Sequence, residues 1–328
     1  MTESNFQNPE LITIGHILID IRAYVDEFPV PDISAKIKGE IQYSPGGSAT
    51  NTAVAARRLG IQSGICSILG LDDYGMTVIK ELIAEKVDVS NIRIHYHKET
   101  GVSLLIINEK GTPIIIQTLG ANEPFPINWI NHQAIQEASH LHMTGTDLNA
   151  LEAAARFAKE STKRKISVSF DPGRSKSHLG YEALMPILKN TDYLIINRTE
   201  AARMSGLSID HDDIMKIIDK LRSTIPAHIK LIIKGGSKET IVKTDEEFFA
   251  VPPYKVKVFD TIGAGDAFAG SFITALLRNK SLKDAIIMAH AAAGYKIQYG
   301  GAQSSPTSEQ LSEFLELHKN EITARDLK

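Results

Sequence analysis

Phe259-Asp260-Thr261-Ile262-Gly263-Ala264-Gly265-Asp266-Ala267-Phe268-Ala269-Gly270 is the stretch from which the rest of the chain can be read. Beyond it, Phe268, Phe272 and Leu276 recur every fourth residue with Ala267, Gly270, Ser271 and Thr274 between them. That spacing predicts a helix packed closely on one side, with residues 263 to 266 as its first turn. The unpaired N–H groups and positive dipole end of a helix start stabilise phosphate, and glycine lets the anion approach the backbone. A carboxylate at 266 is costly beside bound phosphate unless it takes a proton from an alcohol attacking a terminal phosphoryl group. Helix capping alone also favours Gly and Asp at such a start, so the surrounding sequence has to decide.

The chain has 328 residues, 43% of them apolar, enough for one large α/β domain or two modest ones. Cys66 is its only cysteine, which excludes an intrachain disulfide. With no charged-then-apolar leader at Met1-Thr2-Glu3-Ser4-Asn5, the chain reads as cytoplasmic. The longest apolar runs, such as Ile114 to Ile116 and Leu231 to Ile233, are too short to cross a bilayer. A formal net charge of −3 supplies no general basic field for nucleic acid. Neither membrane nor nucleic acid is an expected partner, and polyanion contact should be local, as at a nucleotide phosphate.

No internal repeat or long Pro/Gly/Ser linker divides the chain, so residues 1–328 read as one domain. Strand-like runs at Leu11 to Ile14, Ser63 to Ile68, Ser139 to Met143 and Ile166 to Phe170 alternate with helical patterns at Ala49 to Leu59, Tyr74 to Ala84 and Ala150 to Lys159. This alternation predicts a mostly parallel sheet covered by helices, with ligands beyond the carboxyl ends of its strands. Residues 20–44 and 98–118 break the rhythm with β-like alternation and no helix, and Asn108-Glu109-Lys110-Gly111 reads as a hairpin turn. They form either a small sheet standing off the main one or ordinary edge strands.

Other polar positions fit the same chemistry. Asp20 follows a first core strand, and Gly46-Gly47 opens a helix whose first turn carries Asn51. A carboxylate accepts two hydroxyl protons, an amide donates and accepts, and glycine lets a flat ring lie on the backbone. Taken singly, Asp20 is also compatible with a solvated turn, and Gly46-Gly47 with a simple one. Asn197 and Glu200 follow the run Tyr193 to Ile196; they suit a hydrated magnesium ion and equally a helix capping box. Lys234-Gly235-Gly236-Ser237 follows Leu231-Ile232-Ile233 in the same way, and Gly120-Ala121-Asn122 offers a weaker polar turn. His290, without a visible partner, reads as a core or helix-surface histidine.

Together these residues resemble the ribokinase or PfkB family of carbohydrate and nucleoside kinases. Asp260 to Asp266 matches its DTxGAGD signature, Gly46, Gly47 and Asn51 its N-terminal glycine motif, and Asn197 to Glu200 its NxxE motif. The resemblance runs from about Leu11 to about Pro306. It implies an α/β fold, a three-layer αβα sandwich with a mostly parallel central sheet, and a small β-sheet lid made by the 20–44 and 98–118 segments. It implies an ATP-dependent kinase, with Asp266 as general base and Gly263, Ala264 and Gly265 as the anion-binding turn. Asp20, Gly46, Gly47 and Asn51 would hold the acceptor, Asn197, Lys234 and Gly236 the nucleotide, and Glu200 the Mg²⁺. The turn Gly300 to Gln303 and the Ala291 to Gly294 helix would border the adenine. Some members bind a monovalent cation (K⁺) between the DT pair and that turn, where Asp260 would contribute, and many dimerise through the lid. Glu239 stands where the family often has glycine, and Tyr299-Gly300 where ribokinases are more basic.

Residues 46–53, 140–146 and 169–174 look most like archaeal-type nucleoside kinases of the family, implying a ribosyl primary hydroxyl as acceptor. Asp171-Pro172-Gly173-Arg174 departs from the DPNxR pattern of fructokinase-like members. A hexose or keto-deoxy sugar acid kinase and a non-catalytic sugar sensor are the alternatives. A dehydrogenase is disfavoured, because Gly15-His16-Ile17-Leu18 lacks dinucleotide glycine spacing.

Overall fold

In the computed structural model, residues 9–109, 113–161, 164–319 and 321–327 are described. Ten strands form the main sheet in the order Arg325–Asp326, Phe248–Val251, Thr240–Lys243, Lys230–Lys234, Tyr193–Asn197, Ser167–Asp171, His140–Thr144, Leu11–Ile14, Ser63–Gly70 and Ile92–His95. From Lys230–Lys234 to Ile92–His95 every neighbouring pair is parallel. The other three strands are antiparallel additions that the sequence patterns did not announce.

Side-chain alternation explains the layers. Leu194 and Ile196 join Leu141, Met143, Leu231 and Ile233 in a core against the helices Leu148–Glu160, Gly180–Leu188, Arg198–Ser205 and Ile214–Thr224. Ile195 and Ile232 point the other way, into a core with Phe268, Phe272 and Ile286 from the helices Ala264–Leu277 and Leu282–Lys296. Strands buried on both faces carry continuous apolar runs, which is why Leu194-Ile195-Ile196 has no polar alternation. No described helix is long and apolar enough to cross a membrane.

The segments that broke the rhythm form a separate four-stranded sheet, Ile37–Gly46, Leu18–Val25, Gly101–Ile107 and Pro113–Thr118. They are not edge strands of the main sheet. Lys110 and Gly111 of the expected hairpin turn lie outside the described residues, but the strands on either side do pair antiparallel. Asp20, Ser103 and Gln117 lie opposite one another in register, and with Leu18, Leu105 and Ile115 they line one face above the main sheet's carboxyl edge. Tyr43, Ile114 and Ile116, on the opposite parity, are exposed.

A close approach of two helices ties this edge together. Gly270 lies so near Ser48–Arg58 that a Cβ there would sit 2.7 Å from Ala55 Cβ and 2.8 Å from the Thr52 carbonyl oxygen. The small residues after Asp266 therefore draw that helix against the one carrying Asn51.

Candidate active site

A cleft of about 660 Å³ opens between the small sheet and the carboxyl edge of the main one. Asp20, Gly47, Asn51, Asn197, Glu200, Lys234, Gly263, Gly265 and Asp266 all line it. The Asn51 side-chain amide donates to Asp266 Oδ2 at 2.8 Å, across 215 residues of sequence. Asn51 Oδ1, buried, has no partner among the described residues, so the same amide can still accept a hydroxyl. Burial raises Asp266 above the usual carboxylate range, opposed by the Asn51 hydrogen bond and the Lys234 charge and reinforced by Asp171. A carboxyl held up in this way is better matched to accepting a proton near neutral pH.

Gly263 takes the left-handed conformation, φ 81°, at the start of the helix. A Cβ there would collide with the carbonyl oxygen of Ala302 in the C-terminal turn. The Ala264 N–H is already spent on Thr261 O at 3.2 Å. Of the four amides expected to receive an anion, those of Gly263, Gly265 and Asp266 have no backbone partner among the described residues.

Asp20 projects from the small sheet beside Ser103, and Gly46 leaves the room its carboxylate occupies. Burial pushes Asp20 up to about 6, against the pull of Arg22, whose Nη2 lies 3.3 Å from Oδ2. If Asp20 accepts acceptor hydroxyls as a carboxylate, kcat/KM for the acceptor should drop about tenfold per unit as pH falls below about 6. Raised Asp266 adds to this acid limb, because it too must be unprotonated to act. A kcat/KM profile flat down to pH 5 would count against the Asp20 assignment.

At the other end of the cleft, Asn197 and Glu200 form a complete capping box: the Glu200 N–H donates to Asn197 Oδ1 at 2.9 Å and the Asn197 N–H to Glu200 Oε2 at 2.8 Å. Lys234 pairs with Asp171 Oδ2 at 2.7 Å. Burial alone would lower its ammonium pKa, but the charges of Asp171, Glu200 and Asp266 outweigh it and keep Lys234 cationic. Gly236 lines an adjoining cleft of about 400 Å³ with Arg174, Arg198 and Arg203, a basic setting suited to a polyphosphate. Glu239 turns its carboxylate away to Arg325 Nη2 at 2.8 Å, so its replacement of glycine does not obstruct that wall.

A resident magnesium cage is absent among the described residues, where no cluster of three or more His, Cys, Asp or Glu could hold a metal. Glu200 still lines both clefts, burial raising its carboxyl with Asp171 adding to the effect. One carboxylate with its neighbour Asp171 fits a hydrated ion carried in on a nucleotide, whose chemistry is to bridge and neutralise phosphate oxygens.

A monovalent metal ion at Asp260 fits less well. Asp260 Oδ1 receives the Ile262 N–H at 2.9 Å and Oδ2 the Gly301 N–H at 3.0 Å. Lys296 Nζ, fully buried, donates to the Asp260 carbonyl oxygen at 2.9 Å and lies 3.7 Å from Oδ2. An ammonium thus already serves the Asp260 carbonyl oxygen and lies near its carboxylate, the groups a monovalent ion there would use.

Some site residues escaped the motif reading. Asp171 ends a main-sheet strand like Asn197 and could have been found by the same carboxyl-edge rule. His16 also lines the cleft, its Nε2 buried without a partner among the described residues; burial and then Lys176 lower it to about 4, so it is neutral at pH 7. Asn122 instead has a structural task. Its side chain accepts the Ile17 N–H at 3.1 Å and donates to Ile17 O at 2.7 Å, fixing the approach to the small sheet. His290 packs edge-on against Phe268, as a core histidine should.

Comparison with known proteins identifies the family. The family model described as pfkB family carbohydrate kinase matches residues 8–309. The chain belongs to that family. It is therefore a phosphotransferase acting on a sugar hydroxyl. Similar family members include an ATP-dependent ribose-1-phosphate kinase of Halopiger xanaduensis, 31% identical over 93% of this chain and 97% of its own. A nucleoside kinase of Methanocaldococcus jannaschii is 27% identical over 94% and 98% of the two chains. The crystal structure of a ribokinase from Thermotoga maritima, 27% identical, superposes with a TM-score of 0.79 over 94% of this chain and 99% of that one.

Proposed function

We propose that this family member transfers the γ-phosphoryl group of ATP to a primary hydroxyl of a ribosyl compound, with Asp266 as general base. The observation carrying this reading is the Asn51–Asp266 hydrogen bond at 2.8 Å, which puts an amide able to orient a hydroxyl beside a carboxyl able to deprotonate it. Asp20 and Asn51 hold the ribose hydroxyls. The hydroxyl attacks the terminal phosphorus, its proton passes to Asp266, and the bond to the leaving β-phosphate oxygen breaks. The amides of Gly263, Gly265 and Asp266 receive charge from the moving group. Lys234, Arg174 and the arginines of the adjoining cleft hold the polyphosphate, with Mg²⁺ near Glu200.

The small sheet acts as a lid, excluding water that would otherwise compete as acceptor. Leu18, Leu105 and Ile115 on its inner face give a flat, apolar substituent such as a nucleobase somewhere to lie, favouring a nucleoside over free ribose. The exposed Tyr43, Ile114 and Ile116 on its outer face support a homodimer through this sheet.

Phosphorylated ribose is the second reading, favoured by Arg174, which is exposed at the rim and lines both clefts. ADP release measured over nucleosides, ribose, ribose 1-phosphate, fructose and a keto-deoxy sugar acid tests the assignment. The highest kcat/KM is expected with a ribosyl compound. A hexose or sugar acid preferred over every ribosyl acceptor would overturn the substrate class, and binding without ADP release would favour the sugar sensor.

A further inference from the structure

Among the described cations, Lys296 has the most unexpected environment. It lies on the helix Leu282–Lys296 among alanines, its side chain wholly shielded from solvent. Burying an ammonium is expensive unless it is paired and hydrogen-bonded, so its contacts call for a functional explanation. They all converge on the turn leading to Gly263. The Lys296 ammonium holds the Asp260 carbonyl oxygen at 2.9 Å, and the next residue, Ile297, accepts the N–H groups of Phe259 at 2.7 Å and Asp260 at 3.1 Å. Asp260 in turn fastens Ile262 and Gly301 through its carboxylate. Gly301 precedes Ala302, whose carbonyl oxygen abuts Gly263. Lys296 thus sits behind both strands of backbone that shape the anion turn. Burial brings its ammonium down to about 8, with Asp260 opposing, so it remains charged at neutral pH.

We propose that Lys296 is the built-in monovalent cation of this site, a positioning residue whose ammonium holds Asp260 to Gly263 in anion-binding shape, so that the protein needs no dissolved potassium ion. The proposal rests on the kinase reading for its purpose, but its contacts do not. The disagreement between the cation implied by the family resemblance and the residues present becomes a prediction: the wild-type protein should be indifferent to the monovalent ion supplied, and removing the lysine should create a dependence.

The test compares the full-length wild type, Lys296→Met and Lys296→Ala in chloride salts of potassium, ammonium, sodium and tetramethylammonium at one ionic strength. Affinity for a non-hydrolysable ATP analogue with magnesium is read by calorimetry, and turnover with the best acceptor separately. Wild-type values are expected to agree within about twofold in all four salts, since its own ammonium supplies the contact. Both variants should lose about 10- to 100-fold in turnover, as expected for a hydrogen bond from a charged group. Potassium or ammonium should restore much of the loss in Lys296→Ala, where space is opened, but not in Lys296→Met, whose side chain fills it. A wild type that loses tenfold or more in tetramethylammonium would overturn the proposal. So would folded variants with unchanged turnover and analogue affinity, or an alanine variant impaired equally in every salt. Should neither variant fold, the wild-type salt series decides alone. If no acceptor is phosphorylated by the wild type, the kinase reading fails, while the analogue-affinity series still judges Lys296.

Discussion

Asp266→Asn should lower kcat by on the order of 10² or more, because both the proton acceptor and the charge that assists it are removed. Asparagine keeps the shape and keeps an oxygen for the Asn51 amide, so the contact at 2.8 Å has a successor. Nucleotide affinity should therefore survive, since the groups proposed to hold the polyphosphate, Lys234 and the arginines of the adjoining cleft, are left in place. Stability should not fall either, and the sign comes from the raised carboxyl. A group whose pKa is higher in the folded protein contributes stability only while protonated, and that contribution is lost as pH rises through the folded value. Above the ordinary carboxylate range the raised Asp266 is thus a liability to the fold, and the neutral amide should melt at the same temperature or higher. Thermal unfolding, calorimetry with an ATP analogue and steady-state ADP release check the three parts. Near-wild-type turnover in this variant would remove Asp266 from the role of base.

Gly263→Ala should be the more destructive change although it alters no ionisable group. A β-carbon at φ 81° is strained by about 1–2 kcal/mol on its own. It would also meet the Ala302 carbonyl oxygen, which cannot withdraw without disturbing the turn that Asp260 fastens through Gly301. The expected result is a loss of about 2–4 kcal/mol in stability together with at least about 10²-fold in kcat. Urea unfolding and turnover should both move. A variant that keeps its stability but loses turnover would localise the damage to the anion turn, whereas unchanged turnover would show that the turn tolerates a different shape and that its amides are not aligned on the moving group.

The segment around Gly263 was legible because its features are local: a glycine turn, a carboxylate and a helix period all between Gly263 and Leu276. The alternation of strands and helices was legible for a similar reason, since two-sided burial forces continuous apolar strands and one-sided burial forces a helical stripe. Asn197 and Glu200 carried an ambiguity of which the structure shows one side, a complete capping box, while both residues also line the cleft. Asn122 was misleading for a physical reason: its polar side chain is spent on the Ile17 backbone, a partner 105 residues away.

The sequence by itself therefore determined the alternation of strands and helices and the glycine turn with its carboxylate at a helix start, because each depends on contacts within one element or between adjacent ones. The small sheet, which pairs residues 18–24 with 101–107, stayed open against edge strands until the structure decided it. Only the tertiary structure decided that Asn51 meets Asp266, that Asp171 restrains Lys234, and that Lys296 stands behind the turn at Asp260. Those pairings come from strand order and from how closely two helices approach, as at Gly270 against Ala55. Burial then fixes their charge states, since an ionisable group's proton affinity is set by the company it keeps in space rather than by its neighbours along the chain.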